Sequence, residues 1–443
     1  MQDERMNEQG MNEQGRSKPD TEAPMADWYA AGLPHVWLPY AQMKTAVLPL
    51  AVARTEGCRI ILADGRELID GIASWWTACH GYNHPHIREA VVRQASTMPH
   101  VMFGGLVHEP ALTLARRLVN MLPRDLDRVF FSDSGSVAVE IALKMALQYW
   151  RNRGRGDRSR FVTFRGGYHG DTTGAMAVSD PDEGMHALFA GLLPAHVCVD
   201  LPTDEAKADA LRNTLERHAE TLAGLIVEPL VQGAGGMLFH DVETLRRLRT
   251  LADRYDLLLI FDEIFTGFGR TGTMFASEQA GVAPDIVTLS KALTGGTLPL
   301  AATVATARVF DAFWSDDPAR ALMHGPTYMA NALACAAANA SLDLFAREPR
   351  LAQVNAIETR LARGLAPCRG MRRVRDVRVK GAIGVVELDC IDDLDALRRR
   401  FVAAGVFVRP FGSVVYLTPA FTISEAELDV LTGAVGKVIA ELS

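Results

Sequence analysis

The 443-residue chain has no CxxC pair, no net positive charge and no unbroken apolar stretch long enough to cross a bilayer. Its six cysteines, at 58, 79, 198, 335, 368 and 390, stand far apart. That spacing suits separate reduced thiols in a cytosolic protein, not a disulfide framework or a zinc site. A membrane-spanning helix needs ~20 consecutive apolar residues, so none is expected. The opening MQDERMNEQG has no basic start followed by an apolar core, and no signal peptide is expected. The formal net charge of −7 argues against the concentrated basic surface that nucleic-acid backbones require. Lysine is scarce, with seven among the 46 basic residues. What is present, 48% hydrophobic and 22% charged residues, is ordinary globular composition, and the length predicts two domains. A soluble, cytoplasmic protein is the expectation.

Residues 1–24 are polar and repeat MNEQG at 6–10 and 11–15. Such a segment buries too little apolar surface to offset its ordering entropy and predicts a disordered tail. Between about 107 and 310, short apolar runs at 129–131, 161–164, 197–199, 225–227, 257–261 and 286–289 alternate with helical patterns at 137–149 and 244–255. The runs are continuously apolar, as in strands covered on both faces, and the alternation predicts an α/β fold with a mostly parallel sheet. From 331 an alanine-rich helix leads to alternating strands near 377–388. The expected organisation is an N-terminal segment (25–85) joining a small domain, a large domain (86–330) and a smaller α+β domain (331–443).

Ligands of such sheets gather beyond the carboxyl ends of the strands, and four strand ends carry chemistry. Lys291 follows the apolar run at 286–289 and precedes Gly295-Gly296. In apolar surroundings a lysine loses ammonium solvation and its amine becomes a carbonyl nucleophile; a strand-end lysine whose head reaches water is the plainer alternative. Asp262-Glu263 ends the run at 257–261. Adjacent strand residues point to opposite faces, so the pair does not flank one bond; one acid facing the crevice suits a pyridinium nitrogen, and an ion pair with arginine is the alternative. Ser132-Asp133-Ser134-Gly135-Ser136 opens a helix and offers N–H groups and hydroxyls to a phosphate, or an ordinary serine cap. Tyr168, just after a strand, is placed to stack on a planar ring or to pack at a domain edge. Gly267-Phe268-Gly269-Arg270-Thr271-Gly272 matches GxGxxG but does not join a strand to a long helix, which excludes a dinucleotide site. His80, His84 and His86 lack a fourth ligand, and no metal is expected.

In chain order, DSGS (133–136), GGYHGDT (166–172), VEPLVQGAGGM (227–237), FDEIFTGFGRTG (261–272), SKALTGG (290–296) and HGPTYMAN (324–331) resemble the class III, fold-type I pyridoxal-phosphate aminotransferases. SWWTACHGYNHP (74–85), HVMFGGLVHEP (100–110), LPY (38–40) and RPF (409–411) are similar to the branch that transfers the amino group of S-adenosylmethionine to 8-amino-7-oxononanoate in biotin biosynthesis. The resemblance spans about 34–420 and implies a homodimer using pyridoxal 5'-phosphate. By the same resemblance, Lys291 carries the cofactor and moves the Cα proton, and Asp262 pairs with the ring nitrogen. Gly135 and Ser136 bind the phosphate, completed by Pro326 and Thr327 of the partner subunit. Tyr168 covers the ring and, with Tyr40, Trp75 and the Gly325 backbone, lines the substrate site, where Arg409 takes the acceptor's carboxylate. Two positions depart from the family's pattern: Leu38 stands where it usually has histidine, and Phe265 where it usually has a small residue.

Overall fold

The computed structural model describes residues 27–123, 125–182, 187–189 and 191–442; the expected disordered tail lies outside them. The chain divides into two compact units, Met1–Arg54 with Ile61–Arg66, and Thr55–Ile60 with Glu67–Ser443. In the first, helix Asp27–Gly32 buries Tyr29, whose hydroxyl donates to the Pro49 carbonyl at 2.6 Å. Tyr40 belongs to this unit, with φ 50°.

The second unit is built on a seven-stranded sheet. Its strands are β1 (Leu126–Ser132), β2 (Arg160–Phe164), β3 (Val197–Val199), β4 (Leu222–Val227), β5 (Leu258–Asp262), β6 (Ile286–Leu289) and β7 (Ala301–Thr306). They lie in the order β1-β7-β6-β5-β4-β2-β3. All pairs are parallel except those of β7, which runs antiparallel to β6 and β1. Every residue of β4, β5 and β6 is buried, which is why these strands read as unbroken apolar runs. Strand β7, AATVAT, escapes the sequence pattern because alanine has little strand preference; burial between two partners holds it extended.

Helix Gly135–Asn152 covers one face, burying Ile141, Met145, Tyr149 and Trp150, and the Trp150 indole donates to the Ala223 carbonyl of β4 at 2.7 Å. It begins two residues before the expected 137 because Ser134 caps it, accepting from the Val137 N–H. Helix Val242–Arg254, capped by Asp241, and helix Ala332–Arg347, capped by Asn331, fall within a few residues of their expected positions.

Beyond these, β8 (Val374–Lys380), β9 (Ile383–Leu388) and β10 (Val414–Leu417) form an antiparallel sheet. Helices Arg350–Leu365 and Glu425–Ala440 pack together beside it. The short strand Glu67–Asp70 pairs in parallel with Val406–Phe407, Asp70 opposite Phe407. Arg409 follows this pairing by two residues, and the segment 71–77 leaves it at the same end.

Candidate active site

Strand β6 ends at Leu289 and turns at once into a single 3₁₀ turn, Lys291–Thr294. Lys291 itself has φ 45°, an uncommon conformation for a residue with a side chain. Its amine is buried, and loss of solvation holds its pKa below the ordinary lysine value. The glycines that follow allow the turn to lie close under its neighbours: at Gly296, φ 77°, a β-carbon would sit 2.9 Å from the Ala78 nitrogen. The lysine segment and the segment carrying the paired tryptophans are thereby pressed together.

One strand away, the register Asp262↔Thr288 brings Asp262 to the same edge. Its carboxylate meets His169 Nδ1 at 2.8 Å and accepts from the Thr288 hydroxyl and the Ile264 N–H, each at 3.1 Å. Glu263 points the opposite way, accepting from the Ala276 and Ser277 N–H groups at 2.7 and 2.9 Å. The two carboxylates therefore divide into one facing the crevice and one capping helix Ala276–Ala280. Among the described residues the partners of Asp262 are His169, Thr288 and Ile264, not an arginine.

Two further acids and bases reach this edge that strand-end reasoning did not find. His169 sits next to Tyr168 in sequence but takes its role from β5. Glu228, just past β4, accepts from the Tyr168 N–H at 3.0 Å and the Gly233 N–H at 2.9 Å. Burial, the larger influence, pushes its pKa up to about 7.

Ser134, Gly135 and Ser136 open the long helix beside these groups. Ser134 is the cap and, with Gly135 and Ser136, lines the cavity, so one turn combines a capped helix start with the unpaired N–H groups that suit an anion. The Ser136 hydroxyl accepts from the Asp171 N–H at 3.2 Å. Gly170, φ 129°, is essential to this approach, because a β-carbon there would lie 2.1 Å from Ser136 Oγ. Tyr168 is half-buried, and its hydroxyl donates to Asp171 at 2.9 Å.

The opposite wall is a strained turn. Ala73, Ser74, Trp75 and Trp76 have φ of 46°, 48°, 53° and 74°, four successive left-handed residues that cost roughly 1–2 kcal/mol each. Trp76 is buried, tilts against Phe265 with ring centroids 4.1 Å apart, and lies 4.5 Å from Lys291 Nζ. Trp75 is more exposed, with the Arg409 guanidinium 5.1 Å from its ring centroid. The buried Trp76 is thus the tryptophan that lines the cavity, while Trp75 lies exposed beside Arg409.

Around the lysine is a cavity of about 200 Å³ lined by Gly135, Ser136, Tyr168, Asp262 and Lys291, together with Trp76, His169, Glu228 and Phe265. Gly325, Pro326, Thr327, Trp75 and Arg409 are not among the described residues lining it. Of the tempting histidines, His80 is bonded to Ser341 and Arg350, and His86 to Asp343.

A mostly parallel sheet whose carboxyl edge gathers a desolvated lysine, a neighbouring carboxylate and the start of a long helix is the architecture of a fold-type I pyridoxal-phosphate transferase. The chain belongs to the class-III aminotransferase family, whose model matches residues 40–439. It is 46% identical over 413 residues to the adenosylmethionine-8-amino-7-oxononanoate aminotransferase of Mycobacterium leprae, covering 91% of this chain and 94% of that one. Its structure is similar to that of the enzyme of the same description from Methanocaldococcus jannaschii, with TM-score 0.89 and 32% identity over 93% of this chain and 98% of that one. It is also similar to a PLP-bound amine transaminase from an uncultivated Pseudomonas species, with TM-score 0.84 and 32% identity over 96% and 100% of the two chains.

Proposed function

We propose that this protein is a transaminase that moves the amino group of S-adenosylmethionine to 8-amino-7-oxononanoate, giving 7,8-diaminononanoate for biotin biosynthesis. Its cofactor is pyridoxal 5'-phosphate. The residues suit that group on three counts: a desolvated amine, a carboxylate oriented by three hydrogen bonds one strand away, and a helix start that packs without a β-carbon at Gly170. When bound, the cofactor supplies an electron sink for the pair left at a substrate's Cα.

The chain's own residues do the rest. Lys291, whose amine burial favours as neutral, would take the proton from the donor's Cα and deliver it to the cofactor's C4′, and would move a proton the opposite way, from C4′ to the acceptor's carbon, in the second half-reaction. Asp262, held by His169 and Thr288, keeps a proton on the pyridine nitrogen. Gly135 and Ser136 at the helix start would hold the phosphate, and Tyr168, which lines the same cavity, would cover the ring. Trp75, Tyr40 and the Gly325 backbone line the substrate path, and Arg409 takes the acceptor's carboxylate in a bidentate pair. The donor product leaves before the acceptor enters, so the kinetics are ping-pong.

We read the molecule as a cytoplasmic homodimer, with Pro326 and Thr327 of one copy completing the phosphate site of the other. The six free cysteines support a reducing compartment, and a cavity lining that does not include Gly325, Pro326 or Thr327 among the described residues of the same chain is compatible with the exchange. Within the second unit we divide a large domain at 86–330 from a smaller one at 331–443, and the pairing of Glu67–Asp70 with Val406–Phe407 supports joining the segment 67–85 to the smaller one.

The observation that carries this reading is Lys291 buried one strand from an oriented Asp262. Its test is the purified protein with pyridoxal phosphate and both substrates, followed by mass spectrometry of the diamine. Lys291→Ala is expected to lose all measurable turnover; near-normal activity of that variant would sink the reading.

A further inference from the structure

The left-handed tryptophan turn is held from behind by one side chain outside the cavity. Asp70 is 2% exposed, and its carboxylate accepts from the Ile72 N–H at 2.8 Å, the Ser74 N–H at 3.0 Å and the Tyr82 hydroxyl at 2.5 Å. The Tyr82 oxygen in turn lies 2.5 Å from the Ser74 hydroxyl, so Ser74 is gripped at both its backbone and its side chain. Each of these bonds is spent on the turn or on Tyr82, and no cation is among them. A buried carboxylate without a cation is a costly group to keep unless its hydrogen bonds are needed.

Asp70 also ends the strand that pairs with Val406–Phe407, and the Gly71 N–H donates to the Phe407 carbonyl at 2.9 Å. One residue therefore anchors both the turn that presents Trp75 and Trp76 and, through the strand pair, the segment that delivers Arg409. We propose that Asp70, clasping Ser74 together with Tyr82, is a positioning residue for the acceptor: it sets Trp75 against Arg409 and Trp76 under Lys291. This rests on the reading of Arg409 as the carboxylate-binding group.

The test uses the cofactor-loaded enzyme with Asp70→Asn and with Tyr82→Phe. Asn places an N–H₂ where Oδ2 accepts two bonds; Phe deletes one link and leaves the backbone bonds. Asp70→Asn is expected to raise KM for 8-amino-7-oxononanoate about tenfold or more while kcat stays within about threefold. Visible cofactor absorbance is expected to be unchanged. Tyr82→Phe should shift KM in the same direction by less, with a melting temperature within about 2 °C of wild type. In the cofactor-free protein, the tryptophan near-ultraviolet circular dichroism should change in both variants. Unchanged KM with lowered melting temperature would reduce Asp70 to a merely structural group and overturn the proposal. If Asp70→Asn does not fold, the Tyr82→Phe pair of readouts decides alone. Should the wild type not turn over 8-amino-7-oxononanoate at all, the substrate reading fails, and the dichroism of the cofactor-free variants still judges the clasp: changed spectra support it and unchanged spectra defeat it.

Discussion

Glu228 shows how burial alone can make a carboxylate pH-sensitive in the neutral range. Its side chain faces His169, Asp262 and Lys291, yet desolvation dominates and raises its pKa from 4.5 to about 7. A folded-state pKa above the unfolded value means the folded protein holds this proton more tightly. The favourable contribution is full below pH 4.5, declines between there and about pH 7, and is gone above it. At 1.36 kcal/mol per unit the change is at most about 3 kcal/mol. Urea unfolding of the cofactor-free protein at pH 5, 6 and 7.5 should show Glu228→Gln gaining on wild type as pH rises. Parallel pH curves would contradict this. Nothing in the stretch VEPLVQGAGGM marked Glu228 as buried among ionisable groups, whereas Lys291 and Asp262 were recognisable because each ends an apolar run. His169 was hidden for the same reason as Glu228: its partner lies 93 residues away.

At the scale of elements, the cavity wall is a stack built from three separate segments. Phe265, in the loop after β5, lies between Trp76 and Gly233, where a β-carbon would approach the Phe265 ring to 2.8 Å. Gly233→Ala should therefore cost about 1–3 kcal/mol through overpacking, read by urea unfolding. Phe265→Ala opens a cavity of its own at about 3–5 kcal/mol. The double variant should lose less than the sum of the two, since the clash disappears with the ring. Strict additivity would show that the ring is free to move aside. The strands and long helices here were legible from continuous or periodic apolar patterns. The tryptophan turn was not, because four left-handed residues have no sequence signature and persist only through Asp70, Tyr82 and the packing around them.

For the whole molecule, the proposed exchange of Thr327 between copies predicts complementation. Lys291→Ala and Thr327→Asp chains should each be inactive alone. Refolded together, they should form mixed dimers in which one site combines an intact Lys291 with an intact Thr327. Activity should appear on mixing and reach about half of wild type per mixed dimer, the one intact site of two. Mixtures that stay inactive, with mixed dimers verified by mass, would place Thr327 in its own chain's site or outside the chemistry.

Sequence by itself determined six of the sheet's seven strands, β7 excepted, the motif order along them and the identity of Lys291, Asp262, Gly135, Ser136 and Tyr168 as edge residues. These follow from local rules: apolar runs make buried strands, and side chains at their carboxyl ends face one crevice. Tertiary structure alone decided which acid turned inward, that His169 holds Asp262, that Glu228 joins the crevice, and that Asp70 stands behind the tryptophans. Those pairings join residues far apart in the chain, and their energies depend on burial and hydrogen-bond geometry that exist only once the layers have packed.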